Sequence, residues 1–376
     1  MYYFDHSATT PLHPKVKELM GDVGEFHFGN PSSVHASGQK AKTLIETARG
    51  QMAKAIGCNS NEVIFTGGGT EANNLVLWNL IHQKKKHVIT SVIEHPAVLN
   101  VLDSLEEFGV TYSAVGVDKT GMVNPDDVQN ALTEKTGLIS IMLANNEMGT
   151  IQTISEIEAI AKKHDIIMHS DAVQTLGKIP VNAKELGVDC MSFSAHKFYG
   201  PKGVGVLFVR KGLKLKPLII GGNQERRMRA GTENTPGIAG LGLAAELATK
   251  NLHNTQSHLD GLADTFKAQI THICPDVIFN GHPEKQLPGL INVSFPGFRN
   301  DLLMIHLDRQ GIAVSSGSAC SSGDIKPSLI LSAMGIKDEI NNSTLRISFG
   351  TGNSQQDVEY LTKCIKSTLE RIRSAA

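Results

Sequence analysis

The sequence predicts an α/β fold built on a mostly parallel sheet covered by helices. Over residues 60–210, short apolar runs typical of buried strands alternate with helical segments. This alternation favours parallel strands joined by crossover helices. Several strands are followed directly by polar residues able to do chemistry, and open α/β sheets bind their ligands at the carboxyl ends of their strands.

The composition narrows the class of protein. The 376 residues suffice for roughly two domains, and 36 Lys+Arg balance 37 Asp+Glu, so no nucleic-acid partner is indicated. No apolar run approaches the about 18 residues of a membrane span, and residues 1–5 lack the basic and then apolar pattern of a signal peptide. The five cysteines are widely spaced and form no CxxC pair, so neither a disulfide framework nor a zinc cluster is indicated, and a reducing cytoplasm is expected.

The N-terminal part begins with a short strand and a polar turn over residues 1–14. The loop 28–35 then opens a helix predicted over 36–56. Asn30 in this loop is either a turn residue or a ligand contact.

A glycine-rich turn follows the strand predicted over 62–65. The segment TGGGTEANN leads from that strand into a helix over 74–82. Backbone N–H groups and the helix dipole at such a turn suit a phosphate, and Thr70 adds a hydroxyl. No Gly-Lys-Ser/Thr follows, so the turn is not a Walker A loop. A glycine-rich connection without a ligand is the alternative.

The next strands each end in a candidate polar residue. The strand over 87–92 leads to His95, which could cover a planar cofactor or transfer protons. The strand over 138–143, which follows one over 111–117, leads to Asn146. The strand over 166–171 ends at Asp171. Capping or turn roles are the alternatives for the histidine and the aspartate.

The most informative candidate residues lie in the stretch SFSAHKFYGPKGVGVLFV, residues 192–209. It presents Ser194, His196 and Lys197 at the end of an apolar segment. Aromatic neighbours partly desolvate Lys197, which would lower the pKa of its amine and allow attack on a carbonyl. Such a lysine is a candidate for a Schiff base with pyridoxal phosphate, although a lone lysine at a turn is more often a surface residue.

The C-terminal third predicts a second domain. A polar loop over 221–235 contains three arginines, which suit anion recognition, a subunit contact or a solvated loop. Helices over 236–254 and 256–273 follow, then short strands and helices. We predict a large domain over 15–255, and a small domain formed by 1–14 and 256–376.

Two further residues of the second domain are candidates for the site. Cys320 lies among Ser, Gly and Ala residues, where a thiol is exposed and mobile, whereas the other four cysteines lie in strand-like or periodic segments. Arg346 lies on a predicted strand and suits a bidentate grip on a carboxylate.

Taken together these motifs resemble a known family. A phosphate turn, a histidine, an aspartate and a lysine in that order resemble fold type I pyridoxal-phosphate enzymes. The motifs FGNPSSVH, TGGGTEANN, HSDAVQ, SFSAHKFYGPKGVG, RAGTEN and SSGSACSSG are similar to those of cysteine desulfurases of the NifS/IscS-like group, within the class-V aminotransferases. The resemblance covers nearly the whole chain. It implies a large domain with a mostly parallel, seven-stranded sheet covered by helices, and a smaller α+β domain.

The resemblance also implies the role of each candidate. Lys197 would bind the cofactor covalently, Asp171 would pair with its pyridinium nitrogen, and His95 would stack on the ring and move protons. Asn146 and Gln174 would contact the ring hydroxyl. The phosphate would be held by Gly69, Thr70, Ser194 and His196, with Thr232 from a second copy of the chain. Arg346 and Asn30 would hold the substrate carboxylate.

The expected reaction converts L-cysteine to L-alanine and leaves a persulfide on Cys320. The expected partners are L-cysteine, a second copy of the chain as a homodimer, and a sulfur-acceptor protein such as an iron–sulfur scaffold; no nucleic acid, membrane or metal is expected. A selenocysteine lyase or cysteine-sulfinate desulfinase is the alternative within the group. An aminotransferase would leave Cys320 idle, and a sulfur carrier would have no use for the lysine.

Overall fold

A computed structural model describes residues 1–316 and 327–375 of the chain. The strands in these ranges are β1 (Tyr2–Tyr3), β2 (Val63–Thr66), β3 (His87–Ser91), β4 (Thr111–Val115), β5 (Thr136–Ser140), β6 (Ile167–Asp171), β7 (Cys190–Ser194), β8 (Gly205–Val209), β9 (Ile278–Asn280), β10 (Leu290–Ser294), β11 (Ile312–Ala313) and β12 (Thr344–Ser348).

The helices run between and around these strands. They are α1 (Pro14–Phe26), α2 (Ala36–Ala55), α3 (Gly69–Leu77), α4 (Pro96–Leu105), α5 (Pro125–Asn130), α6 (Ile154–Lys163), α7 (Ala183–Leu186), α8 (Thr235–Lys250), α9 (Leu252–Ile273), α10 (Asn300–Asp308), α11 (Leu329–Ala333), α12 (Asp338–Asn341) and α13 (Gln355–Ala375). Short 3-10 turns lie at Ser60–Glu62, Trp78–His82, Glu106–Phe108, Ala195–Lys197 and Gln224–Arg227.

A seven-stranded sheet forms the centre of the molecule, in the order β2-β8-β7-β6-β5-β3-β4. The pairs along β4-β3-β5-β6-β7 are parallel, while β8 is antiparallel to both its neighbours. The prediction of a mostly parallel sheet is therefore confirmed. Since β8 alone is reversed, β2 and the other strands all end at the same edge.

Both faces of this sheet are buried. Consecutive residues of one strand pack into two different apolar clusters. Ile89 of β3 and Ile139 of β5 lie in the first cluster, and their neighbours Val88 and Leu138 lie in the second. Side chains along a strand point alternately to opposite faces. Helices α2 and α8 contribute to the first cluster, and α3 and α4 to the second, so the sheet is covered on both sides.

A separate apolar cluster surrounds the antiparallel sheet β12-β10-β9. It draws on α9, α10 and α13 and includes Phe4 from the N-terminal segment. Strand β1 pairs in parallel with β11, and Asp5 bridges to Ser348 of β12. The predicted boundaries, 15–255 and 1–14 with 256–376, stay a prediction.

Two helix starts differ from the sequence prediction. Helix α3 begins at Gly69 rather than Asn74, so the glycine turn itself enters the helix. Helix α1 was not predicted. It starts with Pro14 at its first position, and His13 caps it by accepting the N–H of Lys15 through Nδ1.

Among the described residues, no helix combines the length and apolar character needed to cross a lipid bilayer.

Candidate active site

A cleft with a volume of about 310 Å³ lies at the carboxyl-end edge of the central sheet. Most of the predicted residues line it: Gly69, Thr70, His95, Asn146, Asp171, Gln174, Ser194, His196, Lys197 and Arg346. They follow five different strands of that sheet or, for Arg346, lie on β12. The shared direction of β2, β3, β5, β6 and β7 brings their ends together, which is why residues far apart in sequence meet here.

Glycines are required where the turn enters α3. Gly68 has φ +155°, a conformation that side chains rarely adopt. A Cβ on Gly69 would lie 2.5 Å from Cγ2 of Val173, so no larger residue fits without displacing the Val173 side chain. The N–H of Gly67 donates to the carboxylate of Glu71 at 2.8 Å, which fixes the turn. Having no side chain, Gly69 lines the cleft with its backbone.

Hydroxyl groups without protein partners surround this turn. Within residues 1–316 and 327–375, the side chains of Thr70 and Ser194 make no hydrogen bond. Both line the cleft. Free hydroxyls beside a helix N-terminus are the donors that a phosphate requires.

Asp171 lies at the end of β6 and is 7% exposed. Its Oδ1 accepts the N–H of Val173 at 2.9 Å, and its Oδ2 accepts from Nδ2 of Asn73 at 2.7 Å. These two hydrogen bonds fix the orientation of the carboxyl group. Asn73 was missed by the sequence analysis; it lies three residues after Thr70, on the same face of α3, and this spacing could have indicated it.

His95 caps α4 and keeps one nitrogen occupied. Its Nδ1 accepts the N–H of Ala97 at 3.0 Å, so the proton of the neutral ring is on Nε2. Desolvation lowers the pKa of His95, Lys197 adds to that lowering, and Asp171 opposes it. The ring is therefore biased towards the neutral form, which can both accept and return a proton.

Lys197 ends the 3-10 turn that follows β7. Its Nζ donates to the carbonyl oxygens of Ser7 at 2.7 Å and Ala8 at 2.8 Å. The N-terminal segment thus holds the amine at the floor of the cleft. The sequence analysis did not anticipate these carbonyls, because main-chain acceptors leave no signature in the residue types.

His196 points its ring at the same N-terminal segment. Its Nδ1 lies 3.1 Å from Oγ1 of Thr9. Burial, with Lys197 and Lys202 nearby, lowers the pKa of His196 to about 4. The imidazole is neutral at physiological pH, so it can contribute a hydrogen bond to an anion but not a charge.

Arg346 is buried on β12, at 3% exposure. One terminal nitrogen, Nη1, donates to the carbonyl of Asn146 at 3.0 Å, and Nη2 donates to Oδ1 of Asp5 at 2.8 Å. Within the described ranges its Nε has no hydrogen-bond partner. A buried guanidinium N–H without an acceptor is costly, so this atom indicates that an external acceptor completes the site.

Two predicted residues of the described ranges, Thr232 and Asn30, are not brought to the cleft. Thr232 is exposed in the loop before α8, and Asn30 is exposed with its Oδ1 accepting the N–H of Ser32. Neither lines the cleft of the described chain. Cys320 lies outside the described residues. Of the other cysteines, Cys58 is half-buried with its pKa raised to about 12 by burial, and the remaining three, Cys190, Cys274 and Cys364, are buried.

Two titratable groups near the site also escaped the sequence analysis. Glu94, next to His95, is buried with one carboxyl oxygen bonded to Ser91 and Met142, and burial raises its pKa to about 8. Lys178 donates to Gln174 at 2.9 Å, and burial lowers its pKa to about 7. Tertiary packing alone brings these two residues close to the site, and the spacing of residues along the sequence does not reveal such packing.

Comparison with known proteins identifies relatives that match nearly the whole chain. The family model "Aminotransferase class-V" matches residues 2–361. A cysteine desulfurase IscS of Dictyoglomus turgidum is 47% identical over 375 residues, which cover 99% of this chain and 95% of that protein.

Solved structures agree with this result. A NifS-like protein superposes with a TM-score of 0.93 at 38% identity, over 98% of this chain and 99% of that one. A structure described as SspA in complex with cysteine gives a TM-score of 0.81 at 34% identity, over 93% of this chain and 99% of that one. From the extent and level of these similarities, the chain belongs to the class-V aminotransferase family, in its IscS- and NifS-like group.

Proposed function

We propose that the protein is a pyridoxal-phosphate-dependent cysteine desulfurase. It removes sulfur from L-cysteine, releases L-alanine and leaves a persulfide on Cys320. The observation that carries the proposal is that Lys197, Asp171, His95 and the Gly69 turn line one cleft. The IscS name of the 47% identical relative and the cysteine bound in the SspA structure support the same reaction.

The residues present fit the cofactor. Gly69 packs so closely against Val173 that no side chain fits at the start of α3, Thr70 and Ser194 have unpaired hydroxyls within the described chain, and Asp171 lies at a strand end. A phosphate and a pyridinium nitrogen require such donors and such an acid. When bound, the cofactor supplies an electron sink for the bond broken at the substrate's α-carbon.

Each residue has one task in holding this group. Lys197 would bind it covalently and Asp171 would pair with its ring nitrogen, while His95 covers the ring and Asn146 and Gln174 face its hydroxyl. The phosphate contacts in this proposal come from Gly69, Thr70, Ser194, His196 and, from a second copy of the chain, Thr232. The last contact makes the active enzyme a homodimer.

Proton transfer is assigned to Lys197, and stabilisation of the reactive thiolate to His95. The carbonyls of Ser7 and Ala8 hold the Lys197 amine in place, so that once released from the cofactor it takes the proton from the substrate's α-carbon. The N–H of Ala97 occupies Nδ1 of His95, so the neutral ring carries its proton on Nε2 and offers it as a hydrogen-bond donor. This N–H would donate to the Cys320 thiolate and stabilise it.

Substrate binding is assigned to Arg346 and Asn30. The Nε of Arg346 is free of protein acceptors in the described chain, and the buried guanidinium offers it to a carboxylate oxygen. Asp5, bonded to Nη2, fixes the orientation of the guanidinium plane.

Sulfur transfer needs no external oxidant. The Cys320 thiolate attacks the sulfur of the substrate, a sulfur–sulfur bond forms, and the carbon–sulfur bond of the substrate breaks. The electron pair stays with the substrate's β-carbon, which takes a proton and leaves as alanine. The sulfur is oxidised to the persulfide level while the β-carbon is reduced. A sulfur-acceptor protein, such as an iron–sulfur scaffold, then takes the sulfur in a cytoplasm that keeps thiols reduced.

Alanine and sulfide release from L-cysteine with dithiothreitol tests the proposal. Wild type should be yellow and should release both products; C320A should stay yellow and lose sulfide release, because the nucleophile is gone. The matched control is C58A, which removes a half-buried thiol outside the cleft and should keep the wild-type rate. Turnover by C320A at the wild-type rate would replace the persulfide mechanism with a lyase or a transaminase.

A further inference from the structure

A second lysine, Lys178, lies close to the Lys197 side of the site. It lies in the loop after β6, four residues beyond Gln174, and lines a cavity of about 200 Å³ that Lys197 also lines. Its Nζ donates to Oε1 of Gln174 at 2.9 Å. The cleft residues Asp171 and His95 do not line this cavity.

A chain of hydrogen bonds connects the two amines. Nε2 of Gln174 donates to the carbonyl of Ser7 at 2.9 Å, and the same carbonyl accepts Nζ of Lys197 at 2.7 Å. An amide presents its oxygen at one end and its N–H groups at the other. In its ammonium form Lys178 can only donate, so it fixes the oxygen of Gln174 on its own side and the N–H groups towards Ser7.

Among the described residues, no carboxylate lines this cavity beside Lys178. The titratable side chains that line the cavity with Lys178 are His6, His13, Lys197 and Tyr199. Burial lowers the pKa of Lys178 to about 7, and repulsion from Lys197 and then Arg346 adds to the lowering. Repulsion between two charges is mutual, so a charged Lys178 disfavours the ammonium form of Lys197.

We propose that Lys178 is a positioning residue of the active site, which sets the hydrogen bonds beneath the Lys197 amine through Gln174 and acts on that amine by its charge. The inference rests on the proposed function, since it assigns Lys197 as the residue that binds the cofactor. Lys178 itself touches neither substrate nor cofactor in this proposal.

The test is the pH titration of the visible absorption of the holoenzyme, which follows loss of the proton from the Lys197–cofactor linkage. K178M removes a nearby positive charge and should raise the titration midpoint by roughly one pH unit. K178R keeps its charge throughout this range and should bring the midpoint below that of wild type. The control is K162M, which removes an exposed lysine of α6 and should leave the midpoint unchanged.

Either of two results overturns the proposal: a K178M midpoint within about 0.2 unit of wild type, or a K178R midpoint at or above wild type. If K178M does not fold, the comparison of K178R with wild type decides alone. A merely structural role for Lys178 would change yield or stability without this ordering of midpoints.

A second measurement separates this inference from the proposed function. In cofactor-free full-length protein, trace acetylation of Lys197 is followed against pH by mass spectrometry, so that only the neutral amine reacts. K178M should shift half-maximal labelling to higher pH, and no shift overturns the proposal. If the wild type takes up no cofactor, the proposed function fails while the labelling result still decides the role of Lys178.

Discussion

At the scale of single residues, the position of Asp171 depends on a neighbour that does no chemistry. Asn73 donates to one carboxyl oxygen at 2.7 Å and the main chain at Val173 to the other. Both bonds hold the carboxyl group in one orientation. The cofactor's ring nitrogen would therefore meet a carboxyl group whose position is fixed.

Replacing Asn73 with aspartate should disable this arrangement. N73D would place two carboxyl groups in contact, and one of them would keep its proton at neutral pH. We expect alanine formation to fall at least about tenfold, a loss of roughly 1.4 kcal/mol or more in transition-state stabilisation. The control is N100D, which adds the same charge at an exposed position of α4. A rate for N73D within twofold of wild type contradicts the assignment of Asp171.

Single residues also show which parts of the site could be predicted from the sequence. Asp171, His95 and Lys197 were predictable because each follows a strand-like run directly, and the ends of parallel strands meet. The carbonyls of Ser7 and Ala8 were not, since any residue type offers a carbonyl. Lys178 was not, because its contact with Gln174 depends on how the loop after β6 packs.

At the scale of elements, the loop before α8 is tied to α2 and to the central sheet through the buried side chain of Glu225. Glu225 accepts from Nη1 and Nη2 of Arg49, each at 2.8 Å, and from the N–H of Phe65 in β2 at 2.9 Å. Glu225, Arg226 and Arg227 have φ of 44°, 57° and 69°, a left-handed conformation that costs energy outside glycine. The ion pair holds this strained turn in place.

Removing Glu225 should cost much stability. E225A leaves Arg49 buried, with Glu46 as its nearest carboxylate, and we expect a loss of about 3 kcal/mol or more in the free energy of unfolding. The control is E46A, which removes the 54% exposed partner of the same arginine and should cost less than about 1 kcal/mol. Urea unfolding of both variants measures the difference; equal losses would show that the buried pair does not anchor the loop.

Element boundaries reveal the limits of sequence periodicity. The strands of the central sheet were predictable from apolar runs of four to seven residues, whereas their order within the sheet was not predicted. The start of α3 at Gly69 was not predicted either, because glycines signal a turn and the helix begins within the turn only where Gly68 adopts its unusual φ. The reversal of β8 follows a connection over 195–204 that contains no α-helix, and a parallel neighbour would need a crossover of about a dozen residues or more.

At the scale of the whole molecule, a buried histidine makes stability depend on pH. His169 of β6 lies between the hydroxyls of Ser140 and Ser192, at 2.8 and 3.0 Å, and burial lowers its pKa to about 3. The unfolded chain binds a proton below the ordinary histidine pKa of about 6.5, while the folded chain does not. Stability is therefore lost as pH falls through about 6.5 towards 3.

The expected size of this loss is about 2 kcal/mol for His169 between pH 7.5 and 5. H169Q should lose less stability over the same interval, as measured by urea unfolding at both pH values. The raised pKa of Glu94 changes stability with pH in the opposite direction, but Glu94 is present in both proteins. The difference in stability loss between wild type and H169Q therefore measures the effect of His169. Equal losses in wild type and H169Q would contradict the prediction.

The parallel pairing of β1 with β11 has a consequence for the order of events during synthesis. Tyr2 pairs with Ile312, and the segment that β1 anchors provides the carbonyls under Lys197. At ribosomal speeds the partner strand is made roughly fifteen seconds to one minute after the first. The N-terminal segment that binds the Lys197 amine can therefore be fixed in place only after residue 312 of 376 has been made. A growing chain shorter than this has no complete site that could bind free cysteine.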